Sequence, residues 1–361
     1  MRVRIVGYIM KIVVIAGGLS PERDVSLSSG SLIANALIDA GYKVCLVDLY
    51  IGVETENFDE LFVDLNSEKR YKYAVPEHEP DLNKLKKEVN NGKSLIGKNV
   101  IEICKYADLA FLGLHGDIGE NGKLQAVFDS FGILYTGTGY IGSLLAMDKD
   151  IAKMFMLQNN IRTPEWKMID SAGGDVAGQA RDDGAQFLPC VIKPCSCGSS
   201  IGVSIVRNNE EYIAALEYAK KYEEKIMIEK MIEGREFSVG ILDNKTLPVI
   251  EIIPNEGFFD YKHKYQPGIT LEITPADISS ELADKMSDIA LQVHKILQLG
   301  SYSRIDFLVD NNDNIFCLEA NTLPGMTPGS LLPKEASAAG ISYGELCDKI
   351  VKMALKEADY E

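Results

Sequence analysis

The chain has 361 residues, which is long for a single hydrophobic core, so we expect two or three domains. Its 37 Lys and Arg residues face 53 Asp and Glu residues, and the formal net charge of −16 argues against a nucleic-acid partner, whose phosphates would need clustered basic side chains. Seven scattered cysteines lack zinc-ribbon or CxxC spacing, so we interpret them as the reduced thiols of a cytoplasmic protein.

The first residues share some features with a signal peptide but lack others. Arg2 and Arg4 precede an apolar stretch, but Lys11 interrupts it and no small-residue cleavage site follows. We predict a buried first strand at residues 11–16. Met10 is an alternative start, which would make the residues before it dispensable, and no run reaches transmembrane length.

The first third of the chain alternates short apolar runs with helical patterns, which predicts an α/β, doubly wound parallel layer. Residues 54–100 interrupt it with charged sequence of low hydrophobicity, which we interpret as a partly helical surface insertion. The predicted strands are 11–16, 43–49, 107–114 and 133–135. The predicted helices are 28–40 and 122–131.

The remaining two thirds mix helices with short strands. Residues 171–186 are rich in Gly, Ala and Asp and predict a loop. The last helix should begin at the capping box formed by Ser342 and Glu345. The other predicted helices are 141–158, 209–222 and 279–299. The predicted strands are 188–193, 202–206, 225–230, 237–242 and 247–253.

Residues 303–321 predict a β-hairpin, because Asn312-Asp313 is a turn signal between two stretches of apolar alternation. One face of this hairpin should carry polar side chains at one end. The other face should be wholly apolar. The polar-face pairs are Arg304 with Asn321, Asp306 with Glu319, and Leu308 with Cys317. The apolar-face pairs are Ile305 with Ala320, Phe307 with Leu318, and Val309 with Phe316.

Asp306 and Glu319 would repel each other across this ladder, so we expect a cation between them. With Asn321 they form an all-oxygen set, which favours a hard ion such as Mg²⁺ that also binds substrate phosphates. Removing one carboxylate should then leave the metal-free protein equally or more stable. The alternative is a solvated hairpin face with incidental acids.

Three further constellations lie at predicted strand ends. The glycine- and serine-rich loop 197–202 follows Lys193 and could turn backbone N–H groups toward an anion, although it is not a Walker loop and such a sequence is often a simple turn. Glu22 follows the first strand and could hold a substrate ammonium or complement a helix dipole. His115 ends the 107–114 strand and is a candidate functional histidine.

Two polar segments suit a nucleotide. The acids of residues 228–236 could accept hydrogen bonds from adenine and ribose, or the segment could be a polar hinge between domains. Residues 259–265 combine aromatic and basic side chains, which is typical of a mobile lid over phosphates.

Together these motifs resemble the D-alanine–D-alanine ligase family of the ATP-grasp superfamily. The resemblance runs from residue 10 to about residue 356, leaving out 54–100 and 171–186. The matching segments are GGLSPERDVSLSSG (17–30), LHGDIGENGKLQ (114–125), YTGTG (135–139), MDK (147–149), VIKP…GSSIG (191–202), IEKMIEGREF (228–237), FFDYKHKY (258–265), RID (304–306) and LEANTLPGMTPGS (318–330).

The resemblance implies an ATP-grasp fold of three domains. Residues 10–137 would form an N-terminal, substrate-binding α/β domain with a doubly wound parallel sheet, 138–229 the central ATP-grasp subdomain, and 230–361 the C-terminal subdomain with the metal hairpin and the lid. It also implies ATP as a substrate, two Mg²⁺ or Mn²⁺ ions, a cytoplasmic homodimer, and synthesis of D-alanyl-D-alanine for peptidoglycan through an acyl phosphate.

The resemblance further implies a role for each matching residue. The metal ligands would be Asp306, Glu319 and Asn321. The ATP contacts would be Lys149, Lys193, Ser200, Glu229, Lys230, Ile232, Glu236 and Lys264. The D-alanine contacts would be His115, Gly325, Ser330 and Leu331. The catalytic residues would be Glu22, Ser199 and Tyr265, which close the lid, and Arg304, which stabilises the oxyanion.

Some details depart from the family pattern or leave the substrate open. Cys195-Ser196-Cys197 stands where a charged pair is usual, and Gly329 replaces a commoner His. Tyr265 favours an amine over D-lactate as second substrate, and Leu331 favours D-alanine over D-serine. The alternatives are a D-alanine–D-serine or D-lactate ligase, another ATP-grasp carboxylate–amine ligase, and a nucleotide-binding paralogue without catalysis. A Rossmann oxidoreductase is disfavoured because the glycine fingerprint is missing.

Overall fold

A computed structural model describes residues 8–76, 78, 80–170, 187–198, 200–254 and 270–358. The predicted loop 171–186, the predicted lid 258–265 and Ser199 lie outside the described residues. Within the described part, no helix combines the length and apolar character needed to span a bilayer. All seven cysteines are free thiols, which confirms their interpretation as unpaired.

The N-terminal region is built on a parallel sheet, as predicted. Its strands are in the order β2–β1–β3, and the central strand is almost wholly buried because helices cover both faces. The strands are β1 (Lys11–Ala16), β2 (Lys43–Asp48) and β3 (Leu109–Leu112). The helices are α1 (Arg23–Asp39), α2 (Leu82–Val89), α3 (Val100–Tyr106) and α4 (Lys123–Phe131).

The predicted surface insertion is partly built into this region. Val63 exchanges two backbone hydrogen bonds of 2.8 Å with Val44 on β2. Tyr71 is held to α1 by hydrogen bonds of 2.8 and 2.9 Å with the Asn35 side chain. Helix α2 has no buried residue, so this part of the segment is a surface element.

A four-stranded antiparallel sheet follows, in the order β4–β7–β5–β6 among the described residues. The predicted helix 141–158 is in fact two helices, because Asp148 leaves the helical conformation and its Oδ1 caps the second one at the N–H groups of Asp150 and Ile151. The helices are α5 (Tyr140–Met147), α6 (Lys149–Gln158) and α7 (Asn209–Ala219). The strands are β4 (Trp166–Asp170), β5 (Cys190–Pro194), β6 (Ser204–Val206) and β7 (Lys225–Lys230).

The largest described sheet has the order β11–β10–β8–β12–β13, with β9 paired to β8. Its apolar face packs on α6 and α8 in one core that includes Phe237, Ile305 and Val293. The strands are β8 (Gly234–Leu242), β9 (Lys245–Thr246), β10 (Ile250–Pro254), β11 (Thr270–Ile273), β12 (Tyr302–Asp310) and β13 (Ile315–Asn321). Helix α8 is Ser280–Ile296.

The predicted hairpin register is confirmed for the first half of β12 and wrong for the second half. Arg304 pairs with Asn321, Ile305 with Ala320, and Asp306 with Glu319, as predicted. A β-bulge then shifts the ladder by one residue. The pairs Phe307–Leu318, Leu308–Cys317 and Val309–Phe316 are replaced by Phe307–Cys317, Leu308–Phe316 and Val309–Ile315.

The bulge changes which side chains reach the core. Cys317 is fully buried with the hydrophobic residues, whereas Leu318, predicted to be a core residue, lines a cavity on the opposite face. Leu318 and Glu319 therefore both face the site described below.

The C-terminal helices α9 (Leu331–Ala338) and α10 (Tyr343–Ala358) return to the N-terminal region. Leu346 and Ile350 share a core with Leu37 of α1, and the Tyr42 hydroxyl donates to Asp348 at 2.7 Å. The capping box is confirmed by hydrogen bonds between Ser342 and Glu345 in both directions. The sequence patterns did not predict α3, α9, β4, β9 or β11.

Candidate active site

A cavity of about 550 Å³ lies between the four-stranded sheet and the β8–β13 sheet. Its lining combines aliphatic side chains with many charged ones, so the cavity suits a small molecule that has both an apolar and a charged part. The aliphatic lining includes Val191, Ile205, Ile252, Leu308 and Leu318.

The structure brings the predicted nucleotide residues together in this cavity. Its lining includes Lys149, Lys193, Ser200, Glu229, Lys230, Ile232 and Glu236. Lys193 comes from the end of β5, Glu229 and Lys230 from the end of β7, and Glu236 from β8. Lys264 lies outside the described residues.

Glu229 is buried between two lysines. Its Oε1 lies 2.5 Å from the Lys153 Nζ and its Oε2 lies 2.6 Å from the Lys193 Nζ. Burial alone would raise the pKa of Glu229, but the two ammonium groups outweigh burial and hold this pKa below its usual range. Sequence reasoning missed Lys153, although it stands one helical turn after Lys149 on α6 and so on the same face.

Lys149 connects α6, the Gly/Ser loop and the hairpin. Its Nζ donates to the Cys197 carbonyl oxygen at 2.7 Å and lies 3.4 Å from the Glu319 Oε2. Burial lowers the pKa of Lys149, but Glu319 and the neighbouring thiols raise it by more, so the net shift is upward and the side chain is charged.

Arg304 and Asp306 form a buried, two-pronged ion pair on β12. The guanidinium donates from Nε to Oδ1 at 2.9 Å and from its terminal nitrogen to Oδ2 at 2.7 Å. Ser238 Oγ and Asn321 Nδ2 also donate to this carboxylate, at 2.7 and 2.9 Å. Burial lowers the pKa of Arg304, but Asp306 more than restores it, so its pKa lies above the usual range.

The predicted repulsion across the hairpin is therefore relieved in part by the protein itself. Arg304 neutralises Asp306, and Lys149 lies beside Glu319. The oxygens of Asp306, Glu319 and Asn321 still form a donor set that suits a hard divalent ion. Among the described residues no three His, Cys, Asp or Glu side chains gather as a metal site, so such an ion would need phosphate or water oxygens as well.

A smaller cavity of about 90 Å³ adjoins the first one, and Arg304 and Glu319 line both. Besides Arg304, it collects all of the predicted D-alanine contacts and one other predicted catalytic residue. These are His115, Gly325, Ser330, Leu331 and Glu22. They come from the loop after β3, the loop after β13, the start of α9 and the turn before α1.

His115 is buried with both ring nitrogens engaged. Nδ1 lies 3.2 Å from the Leu323 carbonyl oxygen and Nε2 lies 3.1 Å from the Ser29 hydroxyl. Burial lowers the pKa of His115, so the ring is neutral at pH 7. A neutral ring that donates from Nδ1 must accept at Nε2, so His115 links the N-terminal sheet to the segment after β13 rather than offering a free base.

The smaller cavity also contains Glu120, which sequence reasoning missed. The Gly116 N–H donates to its Oε2 at 2.5 Å. Burial and the nearby Glu22 raise the pKa of Glu120 to about 8, so Glu120 is mostly protonated at pH 7. Glu22 in turn approaches the Gly/Ser loop closely, because a Cβ on Gly198 would lie 3.2 Å from its Oε2.

Comparison with known proteins relates the chain to one family over most of its length. The family model for the N-terminus of D-ala D-ala ligase matches residues 11–138, and the model for its C-terminus matches residues 155–352. The D-alanine–D-alanine ligase of Pediococcus pentosaceus is 44% identical over 347 residues, covering 95% of this chain and 97% of that protein.

Solved structures are similar to this chain over almost its whole length. The D-alanine–D-alanine ligase of Bacillus anthracis complexed with ATP has a TM-score of 0.73 and 30% identity, covering 97% of this chain and 99% of that one. The D-Ala:D-Ser ligase of Enterococcus faecalis has a TM-score of 0.74 and 26% identity, covering 96% of this chain and all (100%) of that one.

Proposed function

Because the chain belongs to the D-alanine–D-alanine ligase family and has its ATP-grasp fold, we propose that it joins two D-alanine molecules into D-alanyl-D-alanine with ATP, as a step toward peptidoglycan. The observation that carries this proposal is that the nucleotide-type cavity and the small polar cavity share Arg304 and Glu319. A phosphate in the first and a carboxylate in the second would meet at these two residues.

The reaction has two steps. The carboxylate of the first D-alanine attacks the γ-phosphorus of ATP, an O–P bond forms, and ADP leaves. Lys149 and Lys193 would neutralise the transferring phosphoryl group. The amine of the second D-alanine then attacks the acyl carbon, the C–N bond forms, the C–O bond to phosphate breaks, and the amine proton leaves with the phosphate. Arg304 with the Gly325 N–H would stabilise the tetrahedral oxyanion.

The substrates would be oriented by charge and by a helix end. Glu22 would hold the ammonium of the first D-alanine, beside His115. Ser330 and Leu331 lie at the start of α9, where backbone N–H groups favour a carboxylate such as that of the second D-alanine. Ser199 and Tyr265 would close the site with Glu22.

We also propose that Asp306, Glu319 and Asn321 hold two Mg²⁺ or Mn²⁺ ions when ATP is present. Such ions would supply neutralising charge at the ATP phosphates. The all-oxygen chemistry of these three side chains supports the assignment, and Arg304 would shift its pairing from Asp306 toward the substrate.

We assign 10–137, 138–229 and 230–361 to the N-terminal, central and C-terminal domains; the presence of three separate sheets among the described residues supports three domains. We further propose a homodimer in the cytoplasm, where seven free thiols would stay reduced. Light scattering of the purified protein measures the assembly state, and a monomeric mass would contradict the proposed homodimer.

The test is ADP release, measured with Mg²⁺ and millimolar D-alanine, with Arg304→Met as an inactive comparison. We expect ADP release only when Mg²⁺ and D-alanine are both present, and we expect the product to be a dipeptide. Absence of D-alanine-dependent ADP release would contradict the proposed reaction.

The second substrate is tested by competition among D-alanine, D-serine and D-lactate near neutral pH. Tyr265 stays neutral there and cannot attract the lactate carboxylate as a cationic His would, so we expect an amine nucleophile. Leu331 offers an apolar wall for a methyl group, which favours D-alanine by at most about a hundredfold over D-serine. Preferential D-lactate use would contradict the first argument, and preferential D-serine use only the second.

A further inference from the structure

Lys153 is a fully buried lysine to which neither the resemblance nor the proposed reaction gives a role. Its side chain is 0% exposed, which is rare for lysine unless the charge is paired. The Nζ lies 2.5 Å from the Glu229 Oε1, 2.6 Å from the Thr163 Oγ1, and 5.1 Å from the centroid of the Trp166 ring. It therefore lies behind Glu229, on the side away from the cavity that Glu229 lines.

We propose that Lys153 sets the base specificity of the nucleotide site by keeping Glu229 ionised, so that Glu229 can only accept a hydrogen bond from the base. This inference rests on the proposed function, because it takes the larger cavity as the ATP site and Glu229 as a contact of the adenine ring.

The chemistry of the bases makes the charge of Glu229 decisive. Adenine carries an amino donor at C6, whereas hypoxanthine and guanine carry a carbonyl acceptor there. An ionised carboxylate accepts hydrogen bonds and cannot donate them, but a protonated one can donate. Each Glu229 oxygen is engaged by one lysine and has a second lone pair, so an ionised Glu229 would still accept from adenine.

Lys153 suits this task better than Lys193, the other cation at Glu229. Lys193 is 11% exposed at the end of β5 and lines the cavity, so ATP phosphates would compete with Glu229 for it. Lys153 does not line the cavity and would stay paired when the nucleotide binds.

The charges around Glu229 support the same conclusion. Lys153 faces it from α6 and Lys193 from β5, and the Cys317 thiol of β13 lies near Lys153. Burial raises the pKa of Cys317, so this thiol is neutral. Burial also lowers the pKa of Lys153, to about 8, which still leaves it mostly charged at pH 7. Without Lys153, a phosphate-bound Lys193 would leave Glu229 buried and uncompensated, and it would take up a proton.

The experiment measures the dissociation constants of ATP and ITP by calorimetry, without D-alanine, for the wild type and four variants of the full chain. Lys153→Met removes the charge with little change in volume. Glu229→Gln imitates the protonated carboxyl, and the double variant combines both. Thr163→Val is the matched control, because it removes one hydrogen bond to Lys153 and leaves both charges in place.

We expect Lys153→Met and Glu229→Gln each to lower the preference for ATP over ITP by about tenfold or more, the worth of one hydrogen bond to a charged group. The double variant should show no further loss, because both changes act on the same hydrogen bond. In Thr163→Val the preference should stay as in the wild type. The lost preference of Lys153→Met should return as the pH rises from 6 to 9, because Glu229 then ionises.

Three results would overturn the inference. The first is that Lys153→Met weakens ATP and ITP equally, which would make Lys153 a purely structural residue. The second is an equal loss of preference in Thr163→Val, which would make packing the cause. The third is additive loss in the double variant. If Lys153→Met does not fold, Lys153→Gln, which offers Thr163 a polar partner, is judged by the same outcomes.

The outcome is separable from that of the proposed function. Nucleotide binding needs no D-alanine, so a protein that prefers ATP but fails to turn over D-alanine would contradict only the proposed reaction. A wild type that turns over D-alanine but binds ATP and ITP equally would contradict only the role of Lys153.

Discussion

Replacing Asp306 with asparagine should destabilise the metal-free protein, which reverses the expectation from the sequence alone. The hairpin register led us to expect relief of repulsion when one carboxylate is removed. The structure instead places Arg304 in two hydrogen bonds with Asp306, at 2.9 and 2.7 Å, with side-chain exposures of 13% and 9%. Removing the carboxylate charge leaves a buried guanidinium without its main counter-ion.

The size of the effect follows from these contacts. An asparagine keeps one acceptor oxygen and loses the two hydrogen bonds of the other, one from Arg304 and one from Ser238 or Asn321. Because the compensating charge is lost as well, we expect a loss of about 2–4 kcal/mol in the free energy of unfolding. Glu319→Gln is the matched control, because Glu319 is 25% exposed and its contact with Lys149 is 3.4 Å long. Glu319→Gln should lower the free energy of unfolding by less than about 1 kcal/mol.

The assay is urea unfolding of both variants and the wild type in EDTA, without nucleotide, followed by circular dichroism. Midpoint and slope are compared together, because a chain of several domains can unfold in more than one step. Equal losses in the two variants, or a loss below about 1 kcal/mol in Asp306→Asn, would show that the Arg304 pair contributes no net stability.

Three further predictions concern buried groups away from that pair. Burial raises the pKa of Glu335 to about 8, so the folded state holds an extra proton and loses stability as the pH rises from 4.5 to 8. This loss amounts to at most about 1.4 kcal/mol for each pH unit. Glu335→Gln should flatten the decline, which urea titrations at several pH values measure. Burial lowers the pKa of His294 to about 4, so stability is lost as the pH falls from 6.5 to 4. His294→Gln should reduce this acid sensitivity. An unchanged dependence of stability on pH would exclude His294 as its source. Gly240→Ala should lower the melting temperature, because its Cβ would lie 2.7 Å from both Glu335 Oε2 and Leu332 Cδ1; an unchanged melting temperature would contradict this packing.

The sequence by itself determined the features that depend on near neighbours along the chain. Alternation and a turn signal predicted the hairpin as far as the pairing of Asp306 with Glu319. The alternation of short apolar runs with helical patterns predicted β1 and the parallel layer, and the capping box at Ser342 predicted the start of α10. Ordered motifs indicated which residues would line the two cavities, and the described ones do line them.

Tertiary structure decided what depends on residues far away in the chain. The bulge that turns Leu318 into the cavity and Cys317 into the core depends on how this sheet packs on α6 and α8, because local alternation alone allows either face. Lys153 looks like a surface residue of a helix until β7 brings Glu229 against it. Ionisation depends on burial and on opposite charges within a few ångströms, and only the folded chain brings these together.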